Sequence, residues 1–519
     1  QSIQKKTYPI LLNTIKNTID KFNHKFPYHD ENIYILVFFI SLFISIIGIA
    51  LAYPHINLLP LIPITKLFLF SVLSLILINQ MEIYTKSFGI ALLLYFLFIS
   101  LLSFLPLKII LLSCSILYFI YKNKIYKNNN IKYNILQYIL GVILSVLWSV
   151  VIVYSKSEML THFLISLKLA GFSIAQDTAF HLAIAEMISN YRIPSTGLHG
   201  LNPLHYHIFS HFLYGTIAKI LAISTADVYG IGTWVVFAPL LILSNLKLAT
   251  IFAPIKSLPN FILTNIVLIL VVNHLCIEVV ALWWYLYCSE SYVISLILLM
   301  GLLHVILNNN KITIHNSIII FSYITLMSLS KISVGLISLI TICIVITLSW
   351  INTIKTKILF NFSILFLFSL IYYFMFHTLT KNSNLHFSLL YWGYHYLRRD
   401  DTLLFLKILR IFNPVLLCIP WIIVLSFNYK NNKQILIYAL ASIIVTFVVG
   451  CIFLNVEGIR GNGLYFLNVH MFIMIPLIFS IFSSTHYIHN NLIFFQKIYQ
   501  ILILIIATIM FCTFGITEL

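Results

Sequence analysis

Residues 136–154 read LQYILGVILSVLWSVVIVY, nineteen positions without a charge, and residues 176–211 read QDTAFHLAIAEMISNYRIPSTGLHGLNPLHYHIFSH. The first stretch is close to the ~20 apolar residues a helix needs to cross a hydrocarbon layer. The second is polar, rich in histidine and framed by apolar runs. The first pattern recurs along the chain, with further apolar runs at roughly 33–53, 60–80, 88–106, 107–121, 231–254, 261–284, 291–307, 317–330, 332–350, 358–378, 403–427, 434–454, 467–484 and 497–516. Together they predict an all-α fold, a polytopic transmembrane helical bundle of about 13–15 spans, because only helices that satisfy their own backbone groups persist in lipid. An ordered outer loop and re-entrant or interfacial helices complete the expectation.

Composition points the same way. Hydrophobic residues make up 61% of the 519 and charged residues only 9%, and the mean hydropathy is +1.01. A soluble domain carries about a quarter of its residues as charges. The net charge of +17 raises the question of nucleic acid, but the lysines sit in short Asn-rich loops such as YKNKIYKNNNIKYN at 121–134. Such loops mark the cytoplasmic side of a membrane protein, and no nucleic-acid partner is expected. The seven cysteines are dispersed and form no CxxC pair, which argues against disulfides and structural zinc. Residues 1–32 are polar and lysine-bearing, so they read as a cytoplasmic N-terminal segment with no cleavable signal peptide.

Four segments follow: 1–32, cytoplasmic; 33–154, N-terminal transmembrane helices; 155–230, an outer loop with interfacial helices; and 231–519, C-terminal transmembrane helices with outer loops near 331, 379–402 and 455–466. Lysines at 5, 6, 16, 21 and 25, in 121–134, and at 311, 355, 357, 430 and 433 place those loops in the cytoplasm. Parity holds if residues 206–223 form an interfacial or re-entrant helix. A further crossing near 160–175 would instead turn 177–205 to the cytoplasm.

Ionisable groups at a membrane are costly, so their clustering marks a functional site. Asp177 and His181 lie four apart and share a helical face, where a carboxylate beside an imidazole makes a general base; the plainer reading is an incidental pair on a solvated helix. Glu186 falls on the opposite side of that helix at 100° per residue. His205, His207 and His211 form H-x-H-x3-H, a spacing suited to a divalent metal such as Mg, Mn or Zn, with Asp177 able to complete the set. Interfacial polar residues would look the same, and histidines such as His274, His304 and His377 stand in structural places. Pro194, Gly197, Gly200 and Pro203 predict a tight, ordered loop.

Lys331, in SLSKISVG, interrupts the 34-residue apolar stretch 317–350, too short for two full crossings. A helical hairpin with its turn below the outer surface is the expected shape. An ammonium there beside Ser328, Ser330 and Ser333 suits a phosphate, or else it snorkels to the interface. Arg398 and Arg399, followed by Asp400 and Asp401, can hold a diphosphate or close surface salt bridges, and Arg460 stands on a glycine-flanked turn.

Taken together, a many-span chain with an acidic residue in an outer loop, a partly re-entrant helical region beside it and basic residues in later outer loops resembles the C-type glycosyltransferases that use polyprenyl-phosphate sugars. More narrowly, the pattern D-x-x-F-H…P-S-T-G-L…Y-H resembles uncharacterised bacterial multi-span proteins of that topology. The resemblance implies Asp177 as base with His181 beside it, and Lys331, Arg398, Arg399, Arg460 and Tyr206 as substrate or phosphate holders. It implies a lipid-linked sugar donor, a glycan, lipid or protein acceptor, surrounding membrane lipids and the outer face of a bacterial inner membrane. Three other readings stay open: a transporter or flippase for a lipid-linked or anionic substrate, a polysaccharide polymerase or ligase, and a metal-dependent membrane hydrolase.

Overall fold

The computed structural model describes residues 61–102, 176–197, 208–252, 290–308 and 314–345, with isolated positions between 38 and 46, at 363 and 366, and between 437 and 469. The described residues are overwhelmingly helical, with no strand among them. In chain order they form α1 (Leu61–Thr85), α2 (Phe88–Leu102), α3 (Gln176–Tyr191), α4 (Phe209–Leu221), the single turn α5 (Thr225–Asp227), a π-helical segment (Val228–Phe237), α6 (Ala238–Phe252), α7 (Glu290–Asn308), α8 (Ile314–Ser330) and α9 (Ile332–Val345). The described parts of the apolar runs expected at 60–80, 88–106, 231–254, 291–307, 317–330 and 332–350 lie on these helices. Among the described residues, α1 alone is long and apolar enough to cross a membrane by itself. Thr225–Thr233 and Val235–Leu248 reach that standard together, bent by 47°.

Apolar residues on nearly every side of these helices remove any single greasy stripe, so packing is set by small residues that let backbones approach. Gly89 of α2 stands against Gly301 and Val305 of α7, and Leu92 reaches Gly301 from the next turn. The pairing 89 with 305 and 92 with 301 makes α2 and α7 antiparallel. Tyr323 of α8 donates its buried hydroxyl proton to the Gly89 carbonyl and also covers Gly301. Residues 309–313 are a short link, so α7 and α8 are antiparallel neighbours, and α8 runs in the same direction as α2. Helix α1 is antiparallel to α2, with the Tyr95 hydroxyl donating to Ser74 Oγ over 2.8 Å.

Two ends of the cluster can be told apart. At one, Lys247 of α6 pairs with Glu82 at 2.9 Å and lies 5.9 Å above the Phe88 ring, near the turn between α1 and α2. His304 is there too, its Nδ1 accepting the Gly89 N–H at 3.4 Å and its ring edge-on to Phe88. It is a structural histidine, as expected. At the other end Lys66 donates to the carbonyls of Leu221 and Ala222 at 2.8 and 3.1 Å, closing the C-terminus of α4 where orphan carbonyls and the helix dipole favour a cation.

Helix α4 is wedged between these elements. Its thirteen residues start with Phe209, whose ring lies 6.4 Å from that of Phe96 near the middle of α2, and end beside Lys66. It therefore runs from the interior of the cluster to one end. Helix α3 packs on α4 and the α5 turn. Gly215 of α4 sits directly on the Ala185 carbonyl, and Ser189 Oγ donates to the Gly215 carbonyl at 3.2 Å. With His181 against His211, these contacts make α3 and α4 parallel. The link from α3 doubles back: Gly197, in the left-handed region at φ 73°, lies against Met187, and its N–H donates to Ser195 Oγ. The tight turn expected around Pro194 and Gly197 is present as far as it is described.

Candidate functional site

Helix α3 carries Asp177 in its first turn and His181 one turn later. Glu186 is exposed and accepts a hydrogen bond from its neighbour Asn190 at 2.9 Å, in keeping with the opposite face expected for it. His181 instead meets a residue thirty positions away. Its Nδ1 lies 2.8 Å from His211 Nε2, with ring centroids 5.0 Å apart. His211 is wholly buried in the first turn of α4, and Ser210 Oγ lies 3.3 Å from its Nδ1. The result is a chain of hydroxyl, imidazole and imidazole running from the interior towards half-buried His181. The ring of Phe180 covers one edge of His181.

A pair of imidazoles this close shares one proton. One nitrogen must donate and the other accept, since two N–H groups facing each other would leave both unsatisfied. Parallel packing of α3 on α4 produces the encounter, and Gly215 allows it. No spacing rule within either helix reveals it. The only sequence trace is that His181 stands four positions beyond Asp177, and His211 four beyond His207.

The second feature is the junction of α8 and α9. The chain folds back there, since Gly335 lies against the backbone of Ser328 and Ser338 Oγ comes within 3.8 Å of Met327 Sδ. The hairpin expected from 317–350 is thus formed, with Lys331 at its apex. Lys331 is 7% exposed, so its side chain is drawn in among the helices and does not extend along the surface. Its N–H donates to the Met327 carbonyl at 2.7 Å, and its own carbonyl accepts from Val334 and Gly335, opening α9. Of the three serines beside it, Ser328 returns its hydroxyl to the Ile324 carbonyl at 2.8 Å. Ser330 and Ser333 are buried, and neither hydroxyl has a hydrogen-bond partner among the described residues. Two unsatisfied buried hydroxyls, a buried ammonium and the positive end of a fourteen-residue helix form a setting for an anion.

Register relates the two features. Ser330 stands seven residues beyond Tyr323 on α8, as Phe96 stands seven beyond Gly89 on α2, about 10 Å in each case at 1.5 Å per residue. Tyr323 bonds Gly89, and Phe96 packs on Phe209. The hairpin apex and the start of α4 therefore lie at about the same level, and α4 packs directly against α8.

Among the described residues no group of three or more His, Cys, Asp or Glu gathers to hold a metal. His211 of the expected metal set is placed against His181, while His205 and His207 lie outside the described residues, as do Tyr206, Arg398, Arg399 and Arg460. The chain matches no protein-family model, and no curated protein or solved structure shows significant similarity to it.

Proposed function

We propose that the chain is a polytopic membrane glycosyltransferase that moves a sugar from a polyprenyl-phosphate donor to an envelope acceptor on the outer face of a bacterial inner membrane. In this reading the apolar helices belong to a bundle of about 13–15 spans with the N-terminus in the cytoplasm, as the composition and lysine pattern imply. The observation that carries the reading is buried Lys331 at the hairpin apex, flanked by the Ser330 and Ser333 hydroxyls, which have no hydrogen-bond partner among the described residues, and about level with the start of α4. A cation among donors balances the charge that grows on a departing lipid phosphate, and it does so most strongly where water is excluded. Arg398, Arg399, Arg460 and Tyr206 extend this donor-holding set, and Asp177 with His181 serves the acceptor hydroxyl. A divalent metal (Mg, Mn or Zn) would find its ligands among His205, His207 and His211.

A test is label transfer from polyprenyl-phosphate sugars to endogenous acceptors in membranes carrying wild type or Lys331→Met at matched expression. Transfer by wild type that falls at least ~10-fold in the variant supports the assignment, since a charge-assisted contact is worth about 1.5–3 kcal/mol. Equal transfer by both rejects Lys331 as the phosphate holder.

One observation favours transport as the second reading. A hairpin that opens a helix at a buried cation, together with the 47° bend between Thr233 and Val235, is the kind of broken-helix geometry that transporters use around anionic substrates. Flipping of a fluorescent lipid-linked phosphate in vesicles, with no sugar transferred, would select it.

A further inference from the structure

We propose that α4 supplies the second half of the phosphate site, so that the first-turn amides of α4, the N-terminus of α9 and the hydroxyls of Ser330 and Ser333 hold one phosphate between them. The proposal rests on the glycosyl-transfer reading of the hairpin apex and deepens it by adding a second helix end to the donor site.

Two helices start at one depth inside the cluster. Helix α8 ends at Ser330, which is level with Phe96, and α4 begins at Phe209, whose ring lies 6.4 Å from that of Phe96. From there α4 runs to Lys66 at one end of the cluster, whereas α9 turns back alongside α8 in the other direction. Helices α4 and α9 thus leave the same level in opposite directions, which brings two positive helix ends to one depth. Because α8 stops where α4 starts, the packing of α4 on α8 joins the last turn of α8 to the first turn of α4.

Both ends carry amides outside the helical ladder. The first bond of α4 runs from the Phe212 N–H to the Ile208 carbonyl at 2.9 Å, so the amides of Phe209 and Ser210 stand ahead of it. Phe209 and Ser210 are buried, and Ile208 offers no side-chain cap. In α9 the first bonds come from Val334 and Gly335 to the Lys331 carbonyl, which leaves the amides of Ile332 and Ser333 ahead of the ladder in the same way.

Ser330 points at this junction. It stands seven residues after Tyr323, about 20° short of two full turns, so it leaves α8 on the face from which Tyr323 reaches Gly89 of α2. At the level of Phe96 that face meets the start of α4. The Ser330 hydroxyl is fully buried without a hydrogen-bond partner among the described residues, as is that of Ser333. A buried donor left unpaired is costly, and an oxyanion satisfies such hydroxyls and helix-end amides together. A phosphate, whose oxygens point to several sides, suits two helix ends better than a planar carboxylate. The junction lies level with the middle of α2, so a phosphate carried on a lipid chain reaches it from the bilayer side.

The test uses the full chain in nanodiscs, titrated with a short-chain polyprenyl phosphate, the matching polyprenyl alcohol and inorganic phosphate. Wild type should bind the lipid phosphate at least ~10-fold more tightly than the alcohol, and Ser330→Ala should weaken that binding about 10-fold. The Tm of Ser330→Ala should equal or exceed that of wild type, since the deleted hydroxyl has no partner among the described residues. With 15N-serine labelling, saturation with the lipid phosphate should move the amide proton signals of Ser210 and Ser333 downfield together. A Ser210 amide that stays in place while that of Ser333 moves removes α4 from the site. Equal affinity for alcohol and phosphate overturns the site as a whole. Inorganic phosphate that binds as tightly and moves the same amides overturns the lipid source. The expected binding with no sugar transferred supports the site and overturns the glycosyl reading, whereas sugar transfer with unchanged affinity in Ser330→Ala overturns the proposal and leaves that reading standing.

Discussion

Ser338 Oγ lies 3.8 Å from Met327 Sδ although eleven residues separate them. In one continuous helix those positions would stand about 16 Å apart along the axis at 1.5 Å per residue, so the two halves of this apolar stretch face each other and Lys331 is their turning point. The consequence is a cation held inside an apolar assembly by the backbone that flanks it. Gly335 makes the fold-back possible, because an added Cβ would stand 2.8 Å from Ser328 Cα and closer still to its hydroxyl.

Gly335→Ala should therefore force α8 and α9 apart. Overpacking against backbone costs about 1–3 kcal/mol, and thermal unfolding of the purified protein in micelles should show a lowered Tm. A Tm equal to that of wild type would contradict the fold-back.

Gly215→Ala should separate α3 from α4, since its Cβ would approach the Ala185 carbonyl to 2.7 Å. The expected signature is specific: in 15N-histidine-labelled protein the scalar coupling across the His181 Nδ1···His211 Nε2 hydrogen bond is lost, while the rest of the helical signal by circular dichroism persists. Retention of the coupling would show that α3 shifts without cost.

Ala222→Gly should stabilise. Ala222 closes α4 in the left-handed region at φ 48°, a conformation that costs an L-residue about 1–2 kcal/mol and glycine little. A rise in Tm is expected, and a fall would place the strain elsewhere. Lys66 continues to cap Leu221 and Ala222 in this variant, so the change isolates the backbone term.

Much of this was legible in the chain. The described parts of six apolar runs lie on helices, as their hydropathy led one to expect, and the apolar run interrupted by Lys331 folds back at that lysine, the shape expected of a stretch too long for one crossing and too short for two. Asp177 and His181 were placed on one face, and Glu186 on the other, by helical periodicity alone. His211 was visible as a candidate, but only beside His207 in its own segment.

The amino-acid sequence by itself determined the helical class, the position of the breaks and the residue types gathered near them, since these depend on local periodicity and hydropathy. Tertiary structure alone decided that His211 faces His181, that α3 and α4 run parallel, and that the hairpin apex lies level with α4. Those outcomes depend on where Gly89, Gly215, Gly301 and Gly335 let backbones touch. A glycine in an apolar run looks the same whether it meets lipid or another helix, so the partner across each contact cannot be read from its own segment.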